Sequence, residues 1–190
     1  SMVKVEGVAC DRHQDGSGFV VGDDLVVTNA HVVAGEDSTE VERSDGTRVS
    51  ADVVAFDPER DLAVLSAPGL DRPALSLGDA DEGDVGGVYG HPGGGPLEIS
   101  PYEIAQEVQA RGSDIYDRNA TEREVFLLAT DLAPGDSGSA LVDADGEVVG
   151  VAFAIAPDRD NVGYALTDAE LRAVLAGDLT TPVDAGPCLS

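Results

Sequence analysis

Tryptophan is missing from this chain, lysine occurs once (Lys4), methionine once (Met2), and Phe and Tyr supply four residues each. Cations are scarce altogether. Eleven Lys and Arg stand against 37 Asp and Glu, so the 190-residue chain carries a formal charge of −26. A surface this acidic excludes a nucleic-acid groove or an anionic membrane face as partner, because both require clustered cations. No apolar run approaches the roughly 18 residues that span a bilayer, and no signal-peptide pattern opens the chain. Ser1-Met2 reads as a cloning remnant, so a soluble piece of a longer protein is expected. Hydrophobic residues still make up 42 %, too many for a disordered acidic chain and enough for one large domain or two small ones.

Only two cysteines are present, Cys10 and Cys188, near opposite ends of the chain. Buried thiols, a reactive cysteine and a disulfide compete as explanations. The polar run Asp11-Arg12-His13-Gln14 after Cys10, and Gly186-Pro187 before Cys188, disfavour burial of both. A bridge pinning the tail to the start of the domain is expected, and with it an oxidising compartment.

Helical periodicity is also scarce. Short apolar or alternating runs recur between Gly, Asp and Asn, at residues 3–8, 18–21, 25–28, 49–56, 62–65, 125–129, 140–142, 148–155 and 162–166. Strands at this spacing indicate a sandwich or barrel. Asp143-Ala144-Asp145-Gly146 reads as a hairpin turn. Thr167-Asp168-Ala169-Glu170 reads as a capping box opening one late helix with Leu171, Val174 and Leu175 on one face. The organisation is two successive β units joined around residues 92–110, with a closing helix and tail.

Three local patterns carry chemistry: Thr28-Asn29-Ala30-His31-Val32-Val33, Asp57-Pro58-Glu59-Arg60-Asp61-Leu62, and Pro134-Gly135-Asp136-Ser137-Gly138-Ser139. Alone, each has a structural explanation. Together they supply a base, an orienting carboxylate and a hydroxyl nucleophile. A serine hydroxyl is too weak an acid to attack a carbonyl unaided, imidazole can take its proton near neutral pH, and a carboxylate can fix the imidazole tautomer. Glycines around Ser137 allow a sharp turn that aims backbone N–H groups at one oxyanion. His13, in a polar loop, and His91, in a Gly-rich connection, are weaker candidates for the base. Asp57 reads as a turn former, and Ser17 and Ser139 lack a comparable nucleophile turn.

With these motifs the chain resembles chymotrypsin-fold (trypsin-like) serine proteases over nearly its whole length. Gly16-Ser17-Gly18-Phe19-Val20-Val21, Thr28 to Val33 and Asp61-Leu62-Ala63-Val64-Leu65 resemble the HtrA branch. The terminal cysteines and the Gly-x-Pro-Gly-Gly-Gly loop, with His91 in the variable place, are similar to the protease domain of the actinobacterial membrane-anchored MarP family. The resemblance implies an all-β fold of two six-stranded antiparallel barrels with a short C-terminal helix: residues 1–95 carrying His31 and Asp61, and residues 96–190 carrying Ser137. It implies His31 as general base, Asp61 as orienter, Ser137 as nucleophile, and the N–H groups of Gly135 and Ser137 as oxyanion hole. Asp131 falls where trypsin-like enzymes place the base of the primary pocket, though a structural role at the strand end is the preferred reading. Pro134, Phe153, Gly163 and Tyr164 are expected to complete the pocket.

The reading is a monomeric extracytoplasmic serine endopeptidase of envelope stress or protein processing. It acts on protein or peptide substrates without metal or organic cofactor, and is membrane-anchored only through a segment absent from this sequence. A catalytically weak binding module, or an ester hydrolase using the same trio, are the alternatives. Ser139-Ala140 replaces the usual Gly-Pro, from which a local adjustment is expected, and no Ile-Val-Gly-Gly-like activation sequence is present, leaving the partner of Asp136 open.

Overall fold

The computed structural model describes residues 1–189. Two closed barrels of six strands each make up the chain. The first holds β1 (Met2–Ala9), β2 (Arg12–Gly22), β3 (Leu25–Thr28), β4 (Glu36–Glu42), β5 (Arg48–Asp57) and β6 (Leu62–Ser66), with a one-turn helix α1 (Ala30–Val33) after β3. The second holds β7 (Val85–Gly90), β8 (Glu98–Ser113), β9 (Ala120–Ala129), β10 (Ala140–Val142), β11 (Val148–Ile155) and β12 (Val162–Thr167), closed by helix α2 (Asp168–Leu175). All ladders between these strands are antiparallel, and the order around each barrel departs from chain order where β3 pairs with β6 and β9 with β12, and again where each barrel closes, β1 on β4 and β7 on β10.

Period-2 burial builds each interior. Val3, Val5, Val20, Val26, Val41 and Leu65 fill the first barrel, while Val88, Ile104, Phe126, Leu128 and Leu141 fill the second. A third layer glues the barrels: Phe19, Val27 and Val64 of the first pack with Val125, Val151 and Leu166 of the second and with Leu171 and Val174 of α2. The cleft therefore sits on a continuous apolar seam.

Four expectations change. The barrels divide between Ser66 and Val85, ahead of residue 95, because β7 pairs with β8 and β10 and the Gly-rich stretch after it links two strands of one barrel. The expected connection at 92–110 is largely the 16-residue β8, whose only buried side chains are Tyr102 and Ile104 and whose outer face is too polar to read as a strand. The tail leaves the second barrel and crosses the first, with Val183 N–H donating to Val53 O (2.8 Å) and Gly35 N–H to Ala185 O (3.2 Å). Finally, the capping box does not form. Thr167 makes no side-chain cap, and Glu170 instead accepts from Glu124 N–H and pairs with Arg60. The expected bridge is present, joining Cys10 and Cys188 across 178 residues.

Candidate active site

The single turn of α1 buries Ala30, Val32 and Val33 and leaves His31 facing outward, its side chain 30 % exposed. Asp61 follows a turn in which Asp57 Oδ1 accepts the N–H groups of Glu59 (3.0 Å) and Arg60 (2.9 Å), the role expected of Asp57. Asp61 takes a left-handed φ of 62°, a conformation that short polar side chains tolerate better than most. Three bonds then lock it against His31. Asn29 Nδ2 donates to Asp61 O (2.8 Å), His31 N–H to Asp61 Oδ1 (2.9 Å), and His31 Nδ1 lies 2.8 Å from Asp61 Oδ2. An ionised carboxylate can only accept, so Nδ1 carries the proton and the Nε2 lone pair is left as acceptor. Burial pulls the imidazole pKa down, but the charge and hydrogen bond of Asp61 outweigh it. The net position is above the ordinary 6.5, with Arg123 opposing the rise.

Ser137 sits in a loop shaped by two glycines in the left-handed region, Gly135 (φ 100°) and Gly138 (φ 85°). A Cβ at Gly138 would fall 2.1 Å from Ser17 O, and one at Gly135 would fall 2.6 Å from His91 O, so neither position accepts a side chain. Two carbonyl anchors orient the peptide planes here. Gly93 N–H donates to Pro134 O (2.6 Å) and Ser139 N–H to Asp136 O (3.0 Å). In a trans peptide the N–H points opposite to the C=O. These anchors therefore turn the N–H groups of Gly135 and Ser137 outward, and neither meets a protein acceptor among the described residues. That is the donor pair an oxyanion requires.

Strand β2 joins the two halves. Ser17 N–H donates to Ser137 O (2.8 Å), Ser17 Oγ donates to Gly135 O (2.8 Å) and accepts from His91 N–H (2.8 Å), and Thr28 Oγ1 donates to Ser17 O (2.8 Å). At the neighbouring Gly16 a Cβ would lie 2.7 Å from Val32, beside His31, and 3.1 Å from Ser137 O. Both halves of the site thus rest on Gly16-Ser17. The sequence motif contained Ser17, but only its complete burial marks it as a strut. His91 belongs to the same support. It is buried, with Nδ1 3.0 Å from Gly95 O, whereas His13 is exposed.

Asp136 has a backbone partner, accepting Ala133 N–H at 2.9 Å, and no arginine among the described residues. Burial pushes its carboxyl up against that hydrogen bond, and Glu98 and Asp131 add to the rise while His91 opposes it. Ser139 is accommodated by Gly90: a Cβ there would lie 2.1 Å from Ser139 Oγ, so the missing side chain is the local adjustment.

Beside Ser137 opens a pocket of about 160 Å³ lined by Leu132, Ala133, Pro134, Asp136, Ala152, Phe153, Ala154 and Ile155. Pro134 and Phe153 line it as expected. Asp131, Gly163 and Tyr164 do not: Asp131 is exposed on the rim of a separate hollow with Arg159 and Asn161, and Gly163 is covered by Leu132 and Thr130. Tyr164 pairs in the ladder with Leu127 and Ala154, one strand behind the pocket wall.

Known proteins share this fold. The chain is 39 % identical to serine protease Rv3671c of Mycobacterium tuberculosis, over all of this chain and 49 % of that protein. It is 34 % identical to a probable periplasmic serine endoprotease DegP-like of Halomonas elongata, over 77 % of this chain and 30 % of that protein. It thus spans half or less of the curated relatives it matches. The crystal structure of Rv3671c protease in its active form superposes with a TM-score of 0.96 at 38 % identity, covering all of this chain and 86 % of that one. The inactive form gives 0.83, covering 93 % and 87 %. The HtrA-type protease AlgW with tripeptide gives 0.77 at 29 % identity, covering 92 % and 57 %. Residues 16–151 match the trypsin-like peptidase domain, which spans both halves of the site just described. By fold and sequence alike, the chain belongs to the trypsin-like peptidase domain family.

Proposed function

We propose that the domain is a serine endopeptidase in which His31, Asp61 and Ser137 form the catalytic triad and the N–H groups of Gly135 and Ser137 the oxyanion hole. The observation that carries the reading is the doubly bonded His31–Asp61 pair facing the same cleft as a serine turn with two outward N–H groups. Ser137 Oγ attacks the substrate carbonyl while its proton passes to His31 Nε2, and the carbonyl electron pair moves onto the oxygen held by the two N–H groups. Collapse breaks the C–N bond, and the imidazolium returns the proton to the leaving amine. Water, deprotonated by the same imidazole, then hydrolyses the acyl ester and restores Ser137.

The pocket beside Ser137 is small and walled by apolar side chains, and its one carboxyl, Asp136, is engaged with Ala133 N–H. The residue preceding the scissile bond is therefore a modest apolar one, and the alternative of Arg or Lys read from Asp131 is dropped. An extracytoplasmic site of action is supported by the Cys10–Cys188 bridge, which persists in oxidising compartments, and by the periplasmic description of the DegP-like relative. Membrane anchoring through a segment outside this chain, a monomeric state, and a part in envelope stress or protein processing rest on the family resemblance alone.

A fluorophosphonate probe tests the reading. Labelling of Ser137 that disappears in Ser137→Ala is expected, and an unlabelled wild type at neutral pH overturns it.

A further inference from the structure

Seven of the eleven cations, such as Lys4 on Glu6 and Arg60 on Asp57 and Glu170, sit within ion-pair distance of a carboxylate, as the excess of acid predicts. Among the described residues Arg123 is an exception, and its position in the cleft sets it apart. It stands on β9, where the long β8–β9 hairpin reaches from the second barrel over the first. Nε donates to Glu59 O (2.5 Å), just ahead of Asp61, and Nη2 to Ser113 O (2.8 Å). The guanidinium lies 5.9 Å from the centre of the Phe153 ring, the same ring that walls the pocket beside Ser137. Its charge is also felt at His31, where it opposes the rise in the imidazole pKa.

A guanidinium has five N–H donors, and two are spent on these carbonyls. The remaining three face no carboxylate among the described residues. The fork is already fixed, so little side-chain entropy remains to be lost when it binds. Pairing between β10 and β11 ends at Ala140–Val151, which leaves the cleft edge of Phe153–Ile155 without a strand partner. An extended peptide can add to that edge, its side chains alternating between the pocket and the opposite side, where the hairpin overhangs.

We propose that Arg123 is a specificity-determining residue that binds an acidic side chain on the amino-terminal side of the scissile bond. The proposal rests on the serine-protease reading and names its substrate class: peptides with a carboxylate two to four residues before the cut. The global charge of −26 repels acidic peptides in general, so any such preference has to be local to this cation.

Matched peptides bearing Glu or Gln at the second, third or fourth residue before the bond, and a control pair altered after it, test the proposal. At one of the three positions Glu is expected to exceed Gln in kcat/KM by about fivefold at low salt. The ratio is expected to fall toward one in about 1 M NaCl, where screening reaches roughly 3 Å, and in Arg123→Met, with Arg123→Lys keeping part of it. The pair altered after the bond stays at or below one. A ratio at or below one at all three positions, or one indifferent to salt or to Arg123→Met, overturns the proposal. The salt series on the wild type decides if Arg123→Met does not fold. Because Ser137→Ala can bind without cleaving, fluorescence anisotropy of the same pairs on that variant reads Arg123 independently of turnover, while Ser137 labelling reads the protease assignment.

Discussion

The two halves of the cleft are held by different devices. On the His31–Asp61 side, side chains do the fixing: Asn29, Asp57 and Asp61 itself bond backbone groups, and Asp61 accepts a left-handed φ to do so. On the Ser137 side the backbone does it, through glycines with positive φ and carbonyls anchored by Gly93, Ser139 and Ser17. The first half is further strapped by the tail, which meets Gly35 just after α1 and ends in the bridge to Cys10. A base must keep one orientation while its protonation changes, which paired hydrogen bonds achieve. An oxyanion hole must present bare donors, which in this chain a backbone with two positive-φ glycines leaves free.

Three measurements sharpen this contrast. The largest effect is expected from Asp61→Asn, which leaves the geometry but loses the charge: kcat falls by about 10³–10⁴. The pH profile moves with it. In the wild type the acid limb of kcat/KM is expected above the ordinary histidine value of 6.5, because the proposed mechanism needs neutral His31 and Asp61 holds its pKa up. Without that charge the limb shifts to lower pH, and an unmoved limb in stopped-flow assays argues against the assignment. A raised histidine pKa also means that the pair's contribution to stability is present in acid and is lost as pH climbs through the folded value.

Next comes the bridge. Cys10→Ala with Cys188→Ala is expected to cost about 2–4 kcal/mol in denaturant unfolding. Hydrogen exchange should quicken around residues 30–36 and 182–188 while the bonded N–H groups of Asp136, Gly138 and Ser139 stay protected; equal loosening of both halves breaks the comparison. The smallest effect is expected from Ser17→Ala, which frees Gly135 O and His91 N–H while leaving its own backbone N–H on Ser137 O. A fall of roughly tenfold in kcat with KM nearly unchanged is expected, and a change in KM alone contradicts a role in aiming the oxyanion donors.

Much of this molecule is legible in its sequence. Nine apolar runs correspond to strands or parts of strands, and the residues of the candidate site stand in local motifs where a bond such as His31–Asp61 has a chemical reason. Strands β4, β7 and β8 were not legible as such. Their sequences are acidic or glycine-rich, and they are strands because neighbours on both sides complete a barrel, a non-local cause that periodicity cannot register. Glu170 shows the same limit. Its spacing from Thr167 satisfies a capping box, but Arg60 and Glu124, distant in sequence, compete for the carboxylate and take it.

The sequence by itself determined which residues the proposed site draws on, because a base, a carboxylate and a nucleophile each need a particular side chain in a particular local turn. Tertiary structure decided which groups support that chemistry. Whether Asp131 lines a pocket, whether Ser17 is a strut, and whether Arg123 is free to meet a carboxylate all depend on which segments a closed barrel brings together. Such contacts join residues far apart in the chain, 118 positions for Ser17 and Gly135, and no local pattern encodes them.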